Sequence, residues 1–451
     1  MQLISDTVEV DRPKGPAHSP HYPVVSPVDL FDPAAFKDGP PNAAFAKLRA
    51  EAPVAWNAEP GERAGFWSVT RYDDVMRVNG DHETFSSQRG GILMNHQRSE
   101  MQLARASLDG MINLDAPAHL QLRREHMPYF TPSYLRGLTE RVEGEVTRLL
   151  DEMAPLGKCD LVPSLSAKLP LFTLCEILGV PMEDRPKFLT WMHFLELANS
   201  FAAERAGGPG GGGLEGAVAE VPPELQAFLD AFRAAIDEMF EYGRHMLHKR
   251  RLDPQADLMT AIARAQVDGE LLADEYLDGS WLLIVFAGND TTRNTISGTM
   301  NLLSAFPDQK AKLIAKPELL PNAVNEFIRM ISPVIYMRRT ATRDVEVAGQ
   351  EIAEGEKVIM YYGSANRDAA MFPDPDTLDV ERANADKHIA FGYGPHTCIG
   401  KRVAQLQLEA VYRQILTRFP DMHQAGPMEV AANNFVYAIR GLPVEFTPER
   451  A

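Results

Sequence analysis

Cysteine is scarce in this sequence. Three occur in 451 residues, Cys159, Cys175 and Cys398, with no CxxC spacing and no even set to pair. That count excludes a disulfide framework and a plant-type iron–sulfur cluster, and it fits a reducing compartment. Long apolar runs are missing too. The most apolar stretch, Trp281 to Gly288, has eight residues, against the roughly 20 that a membrane helix needs. The first residues, MQLISDTVEVDRPKGP, carry acids where a secretory leader requires an apolar stretch. Positive charge is outweighed: 45 Lys and Arg against 62 Asp and Glu leave a net charge of −17. That balance argues against coating nucleic acid or an anionic membrane. The expectation is a cytoplasmic protein without a membrane span or a nucleic-acid partner.

What is present is enough for a full core. Hydrophobic residues make up 45% and charged residues 24%, ordinary for a globular protein. The length suits two average domains or one unusually large one. Residues 1–28, rich in Pro, His and Ser, read as a loose arm. After them, helical periodicity dominates. Apolar residues at 135, 138, 142, 146, 149, 150 and 153 form one helical stripe. Segments 224–250, 274–305 and 400–418 read the same way. Strand patterns are shorter, at 345–347, 351–362 and 434–446. Between Gly207 and Gly216 seven of ten residues are glycine, a composition that does not repay its ordering entropy. It reads as a domain linker or as a flexible lid within one domain.

The most specific signal is Phe391-Gly-Tyr-Gly-Pro-His-Thr-Cys-Ile-Gly400. Its glycines Gly392, Gly394 and Gly400 permit positive φ and close approach of backbone to a flat ligand. The loop delivers Cys398 to a helix start, where N–H groups and the helix dipole favour a thiolate. A thiolate held this way can be an axial haem ligand. A buried inert cysteine is the ordinary alternative, but the six fixed positions arise by chance with a probability on the order of 10⁻⁶. A Cys398/His396 hydrolase dyad is disfavoured, because i and i+2 on an extended loop face opposite ways.

This segment resembles the haem-binding loop of the cytochrome P-450 family, the haem-thiolate monooxygenases. The resemblance implies that Cys398 ligates the iron of haem b, with Phe391, Gly392 and Gly400 framing it. Other pieces follow in the family's order. Ala287-Gly-Asn-Asp-Thr-Thr292 is similar to the oxygen-activation motif and includes Gly288. Read from its residues, Thr291 can bond the carbonyl of Ala287 and loosen the helix ladder. A buried, unpaired Asp290 would be costly. By resemblance, Asp290 and Thr291 are the catalytic acid–alcohol pair that supplies protons.

Four ExxR pairs occur: Glu9/Arg12, Glu145/Arg148, Glu241/Arg244 and Glu326/Arg329. Any of them can be an i,i+3 surface pair. Only Glu326/Arg329 stands 72 residues before Cys398 with Pro333 and Arg339 between, so the resemblance assigns it, with Arg382, to the structural triad. His119 and Arg123 are i,i+4 on one helix face. By resemblance they hold the haem propionates with Arg339 and His396, because a buried dianion requires several charge-assisted donors.

The resemblance spans about Asp29 to Phe446 and implies a mainly α fold with a smaller β region, one haem domain over 29–451. The activity it implies is insertion of one oxygen of O2 into an unactivated C–H bond. Family register places substrate-pocket positions at Ile92, Leu93, Met94, Leu283, Phe286, Ala287, Val334, Ile335, Tyr336, Phe435 and Val436, with Tyr336 and Tyr437 as polar handles. The implied substrate is a hydrophobic small molecule of steroid, terpenoid or long aliphatic type. Electrons must come from NAD(P)H through a separate reductase and ferredoxin, docking at a basic face of Arg123, Arg124, Lys401 and Arg402. A peroxygenase or a haem-based sensor remains the alternative, and Asp290-Thr291 argues against the sensor.

Overall fold

A computed structural model describes residues 26, 29–59, 65–94, 106, 109–192, 194–195 and 223–449. The N-terminal arm, apart from Ser26, and the glycine segment 207–216 lie outside the described residues.

In chain order the helices are α1 (Asn42–Glu51), α2 (Tyr72–Gly80), α3 (Ala118–His126), α4 (Pro132–Met153), α5 (Lys168–Leu178) and α6 (Pro223–Leu252). They continue with α7 (Leu258–Ala263), α8 (Asp274–Ala287), α9 (Asp290–Ala305), α10 (Pro307–Ala315), α11 (Leu320–Ile331), α12 (Tyr362–Ala365) and α13 (Lys401–Arg418). The strands are β1 (Val54–Asn57), β2 (Phe66–Val69), β3 (Phe85–Ser86), β4 (Lys158–Asp160), β5 (Gln266–Val267), β6 (Glu270–Leu271), β7 (Tyr336–Ala341), β8 (Val345–Val347), β9 (Gln350–Ile352), β10 (Lys357–Tyr361), β11 (His423–Gln424), β12 (Glu429–Ala431), β13 (Ala438–Gly441) and β14 (Pro443–Glu445). Those that frame the site are β1, β2, β3, β7 and β10. They form one sheet in the order β1-β2-β10-β7-β3, antiparallel except for the β10–β2 pair. The fold is mainly α with a smaller sheet region.

Helix α4 shows how the sequence makes these elements. Thr131 caps it by accepting the Tyr134 N–H, and Pro132 fills the first turn, where a missing N–H costs nothing. The buried residues are Leu135, Leu138, Val142, Val146, Leu149, Leu150 and Met153, the stripe expected from periodicity. Burying each contributes roughly 1.5–3 kcal/mol. That face packs on α13 and α5, so α4 supports the helix that starts beside Cys398.

Three expected elements differ. Segment 274–305 is two helices, because the ladder breaks at Gly288–Asn289 and Asn289 sits at φ −103, ψ −62. Segment 351–362 is divided: β9 (Gln350–Ile352) ends before a turn with Gly355 at φ +87, and β10 begins at Lys357. Segment 434–446 yields only β13 (Ala438–Gly441) and β14 (Pro443–Glu445). There Val436 makes a lone bridge to Val334. In all three, alternation or apolar runs continued through a backbone turn that periodicity does not register.

Candidate active site

Segment 389–400 is a loop of tight turns. Gly392 and Gly394 have φ of +72 and +73, a region that side chains with a Cβ rarely adopt. A Cβ on Gly394 would stand 3.0 Å from Cα of Gly80 at the end of α2. The Cys398 N–H donates to the Phe391 carbonyl at 2.8 Å, which closes the loop and aims the sulfur inward. Cys398 has free surface, and that surface faces a cavity of about 270 Å³. Burial raises its thiol pKa, while N–H groups of Gly400 and Lys401 and the Arg123 charge oppose that rise. These are features that hold a thiolate at a helix start.

The cavity lies between this loop with α13 on one side and α5, α8 and α9 on the other. Its rim carries four nitrogen side chains from three segments: His119 and Arg123 on α3, Arg339 on β7, and His396 in the loop. Arg123 donates to the Thr397 carbonyl. Arg339 donates to Oδ1 of Asn79 at 3.1 Å, and Asn79 in turn donates to the Tyr362 hydroxyl. The His119 and His396 rings stack at 3.9 Å and 27°. Burial and the nearby arginines push their pKa values down to about 4 and about 2, so both are neutral at pH 7. Among the described residues no carboxylate lines the cavity. An apolar chamber with a cysteine sulfur at one wall and two uncompensated arginines at its rim fits a flat, apolar dianion.

Across from the loop, Thr291 lines the cavity, and its hydroxyl donates to the Ala287 carbonyl at 3.1 Å. Thr295 and Thr299 repeat that contact at 2.8 and 2.7 Å, a pattern that bends helices. Gly288 lines the cavity beside them. Asp290 does not. It is buried behind the helix, 3.0 Å from the Arg293 guanidinium. Burial pushes its carboxyl up to about 6, opposed by the Arg440 charge.

A family model described as cytochrome P450 matches residues 33–426. The chain belongs to the cytochrome P450 family. It is 35% identical over 427 residues to a linalool 8-monooxygenase of Pseudomonas putida, covering 93% of this chain and 99% of the relative. It is 33% identical to a methyl-branched lipid omega-hydroxylase of Mycobacterium tuberculosis, covering 92% of each. Among solved structures it resembles a Mycobacterium marinum cytochrome P450 in complex with pseudoionone. That match has a TM-score of 0.81 at 31% identity, covering 94% of this chain and all of the other. The protein is therefore a P450 monooxygenase, and membership of the family implies a haem-thiolate centre and the use of O2.

In this P450 the ExxR pairs separate by environment. Glu326, Arg329 and Arg382 meet in the interior, with contacts of 2.7, 2.8 and 2.9 Å and at most 7% exposure. Arg329 also donates to the carbonyls of Asn366 and Pro375. Glu145/Arg148 is a surface pair at 2.7 Å. Arg244 turns from Glu241 to Asp278, and Glu9/Arg12 lies outside the described residues.

The expected pocket needs correction. Ile92, Leu283, Ala287 and Val334 line the cavity; Leu93, Met94, Phe286, Ile335, Tyr336, Phe435 and Val436 do not. Strand alternation is the reason in β7: Met337 and Arg339 face the cavity, whereas Tyr336 faces a separate core layer with Met94 and Ile335. On α8, Phe286 is rotated off the face shared by Leu283, Ile284 and Ala287. Tyr336 is no polar handle, since its hydroxyl accepts the Met94 N–H. The Tyr437 ring packs at Gly39. Residues missed in the sequence include Met111, Ile112, Thr173 and Leu174 of the lining, and Arg440 beside Asp290. None of these carries a local pattern distinguishable from ordinary core.

Proposed function

We propose that Cys398 is the thiolate ligand of haem b, that Arg123, Arg339, His119 and His396 hold its propionates, and that Asp290 and Thr291 form the proton route. The observation that carries this is the single cysteine sulfur facing Thr291 across an apolar cavity with arginines at its rim. When bound, the haem supplies the activation of O2 that the side chains alone cannot. The chain's own part is to exclude water with an apolar lining, hold the substrate there and move protons. Thr291 presents its hydroxyl at the cavity, and Asp290 stands behind it as the ionisable group.

The substrate we propose is a branched, largely apolar chain. The lining offers it Ile, Leu, Val, Met and Phe side chains, with threonine hydroxyls as polar contacts. Linalool and methyl-branched lipids, on which the named relatives act, are molecules of that kind. We further propose that the protein works in the cytoplasm with a ferredoxin and its NAD(P)H-dependent reductase. Arg124 and Arg402, both exposed, supply the basic docking face for that acidic partner.

The test of the ligand is the spectrum of the purified, reduced, CO-treated protein. Wild type, Cys159→Ser and Cys175→Ser should show the strongly red-shifted Soret band of a thiolate-ligated haem. Cys398→Ser should lose it. Loss of the band in either of the other two variants with haem retained would refute the assignment.

A further inference from the structure

One wall of the cavity is built from two segments that a buried side chain ties together. Residues 90–94 form an arch that hangs from β7. Gly90 and Gly91 both have positive φ, +78 and +75, and a Cβ on Gly90 would lie 2.1 Å from Nη2 of Arg338. The Arg338 N–H donates to the Ile92 carbonyl at 2.8 Å, and Met94 donates its N–H to the Tyr336 hydroxyl at 3.1 Å. Within the arch Ile92 lines the cavity, while Leu93 and Met94 do not.

The Ile92 N–H points the other way, to Oδ1 of Asn113 at 3.0 Å. Asn113 ends the short 3-10 turn Met111–Asn113. The first two residues of that turn, Met111 and Ile112, line the same cavity. Asn113 does not line it and is 1% exposed. Apolar side chains have no directional bonds of their own, so the shape of an apolar wall is set by the backbones behind it. Here the buried Asn113 amide oxygen ties those backbones at the cavity wall itself, next to the Asp115 carboxylate, which holds the preceding residues Ser86, Ser87 and Gln88.

We propose that Asn113 is a positioning residue for substrate selection, locking Ile92 to the Met111–Ile112 turn so that the three side chains act as one wall. The proposal rests on reading the cavity as the substrate pocket above the haem. Removing the amide frees the Ile92 N–H, which must then move to find a partner, and the wall moves with it. Selection between wide and narrow ligands changes, while the loop around Cys398 is untouched.

The experiment uses the haem-loaded full chain and two probes that bind haem iron and shift the Soret band, imidazole and 4-phenylimidazole. Their dissociation constants are measured in wild type, Asn113→Ala, Asn113→Asp and Ile92→Ala. The expected result is a shift of at least fivefold in the 4-phenylimidazole-to-imidazole ratio for Asn113→Ala, in the same direction as for Ile92→Ala. Asn113→Asp keeps an acceptor for the Ile92 N–H and should stay within twofold of wild type. The reduced CO spectrum should be that of wild type throughout. An unchanged ratio in Asn113→Ala, or equal weakening of both probes with loss of haem, would overturn the positioning role. If Asn113→Ala does not fold, an Ile92→Ala ratio equal to that of wild type would overturn the proposal by itself. Azole shifts absent even in wild type would instead sink the underlying haem-pocket reading.

Discussion

Asp290 and Thr291 adjoin in sequence, yet their environments differ: a hydroxyl in the cavity and a carboxyl in the interior beside Arg293 and Arg440. Thr291→Ala should leave the CO spectrum and reductant consumption near wild type while product per NAD(P)H falls at least fivefold and hydrogen peroxide appears. Asp290 sits near pKa 6, raised from 3.8 by burial, so it is mostly ionised above pH 6 and protonated below. Turnover should therefore show an inflection near that pH. Asp290→Asn should slow turnover by tenfold or more and remove the inflection; a retained inflection would assign it elsewhere. His388 makes the opposite case. It is buried, its pKa is pushed down to about 3 mainly by desolvation and further by Lys401 and Arg329, and its Nδ1 accepts the Ala390 N–H. The folded state keeps it neutral, while the unfolded chain protonates it below about pH 6.5. Its contribution to stability is thus lost as pH falls from 6.5 toward 3, about 2 kcal/mol between pH 7 and 5. His388→Asn should flatten the acid side of the stability profile in denaturant titrations, and an unchanged slope would contradict this.

Helix α11 carries a fully buried ion pair, Glu326 with Arg329. Glu326 pairs with two arginines in the interior and also accepts the Asp379 N–H. It thereby joins α11 to the stretch that leads into the Cys398 loop. Glu326→Gln leaves two buried guanidinium groups facing a neutral amide, which should cost about 3–5 kcal/mol in denaturant unfolding and deplete haem. Glu145→Gln changes an equivalent i,i+3 pair in which the Arg148 side chain is 53% exposed. It should cost less than about 1 kcal/mol. Similar losses at both sites would mean that burial does not separate the two pairs. The break between α8 and α9 is an element-scale property as well. Gly288 is closely packed, since a Cβ there would lie 3.1 Å from both the Ile284 carbonyl oxygen and the Leu174 side chain, and at the break the Thr291 hydroxyl bonds the Ala287 carbonyl.

At the scale of the whole molecule, a net charge of −17 would repel an acidic ferredoxin at long range. The exposed Arg124 at the end of α3 and Arg402 at the start of α13 offer local attraction beside the loop of Cys398. With a Debye length of about 8 Å at physiological salt, the near arginines act while the distant acids are screened. Reduction by a ferredoxin should pass through a maximum with ionic strength and fall at high salt. Arg124→Glu with Arg402→Glu should lower the rate at least tenfold at physiological salt without altering the CO spectrum. A salt-independent rate would rule out this face. Among the described residues no helix is long and apolar enough to cross a membrane, as the absence of long apolar runs implied.

The sequence by itself determined the features that depend on short range. The α4 stripe, the turn glycines Gly392 and Gly394, the Thr291 contact to Ala287 and the family were legible because each is encoded within a few residues, whereas Gly400, expected with those glycines, has an ordinary φ of −82. The resemblance singled out Glu326/Arg329, but only the tertiary structure showed that, of the ExxR pairs among the described residues, this is the buried one, since burial is a property of the surroundings and the local spacing is the same in each. It also decided the lining: alternation in β7 fixed that Met337 and not Tyr336 faces the cavity, a matter of register that family spacing left open. The same holds for Arg440 beside Asp290, 150 positions away in the chain, and for Asn113 under Ile92. Contacts of that kind arise from packing one element on another, and no local pattern of residues specifies them.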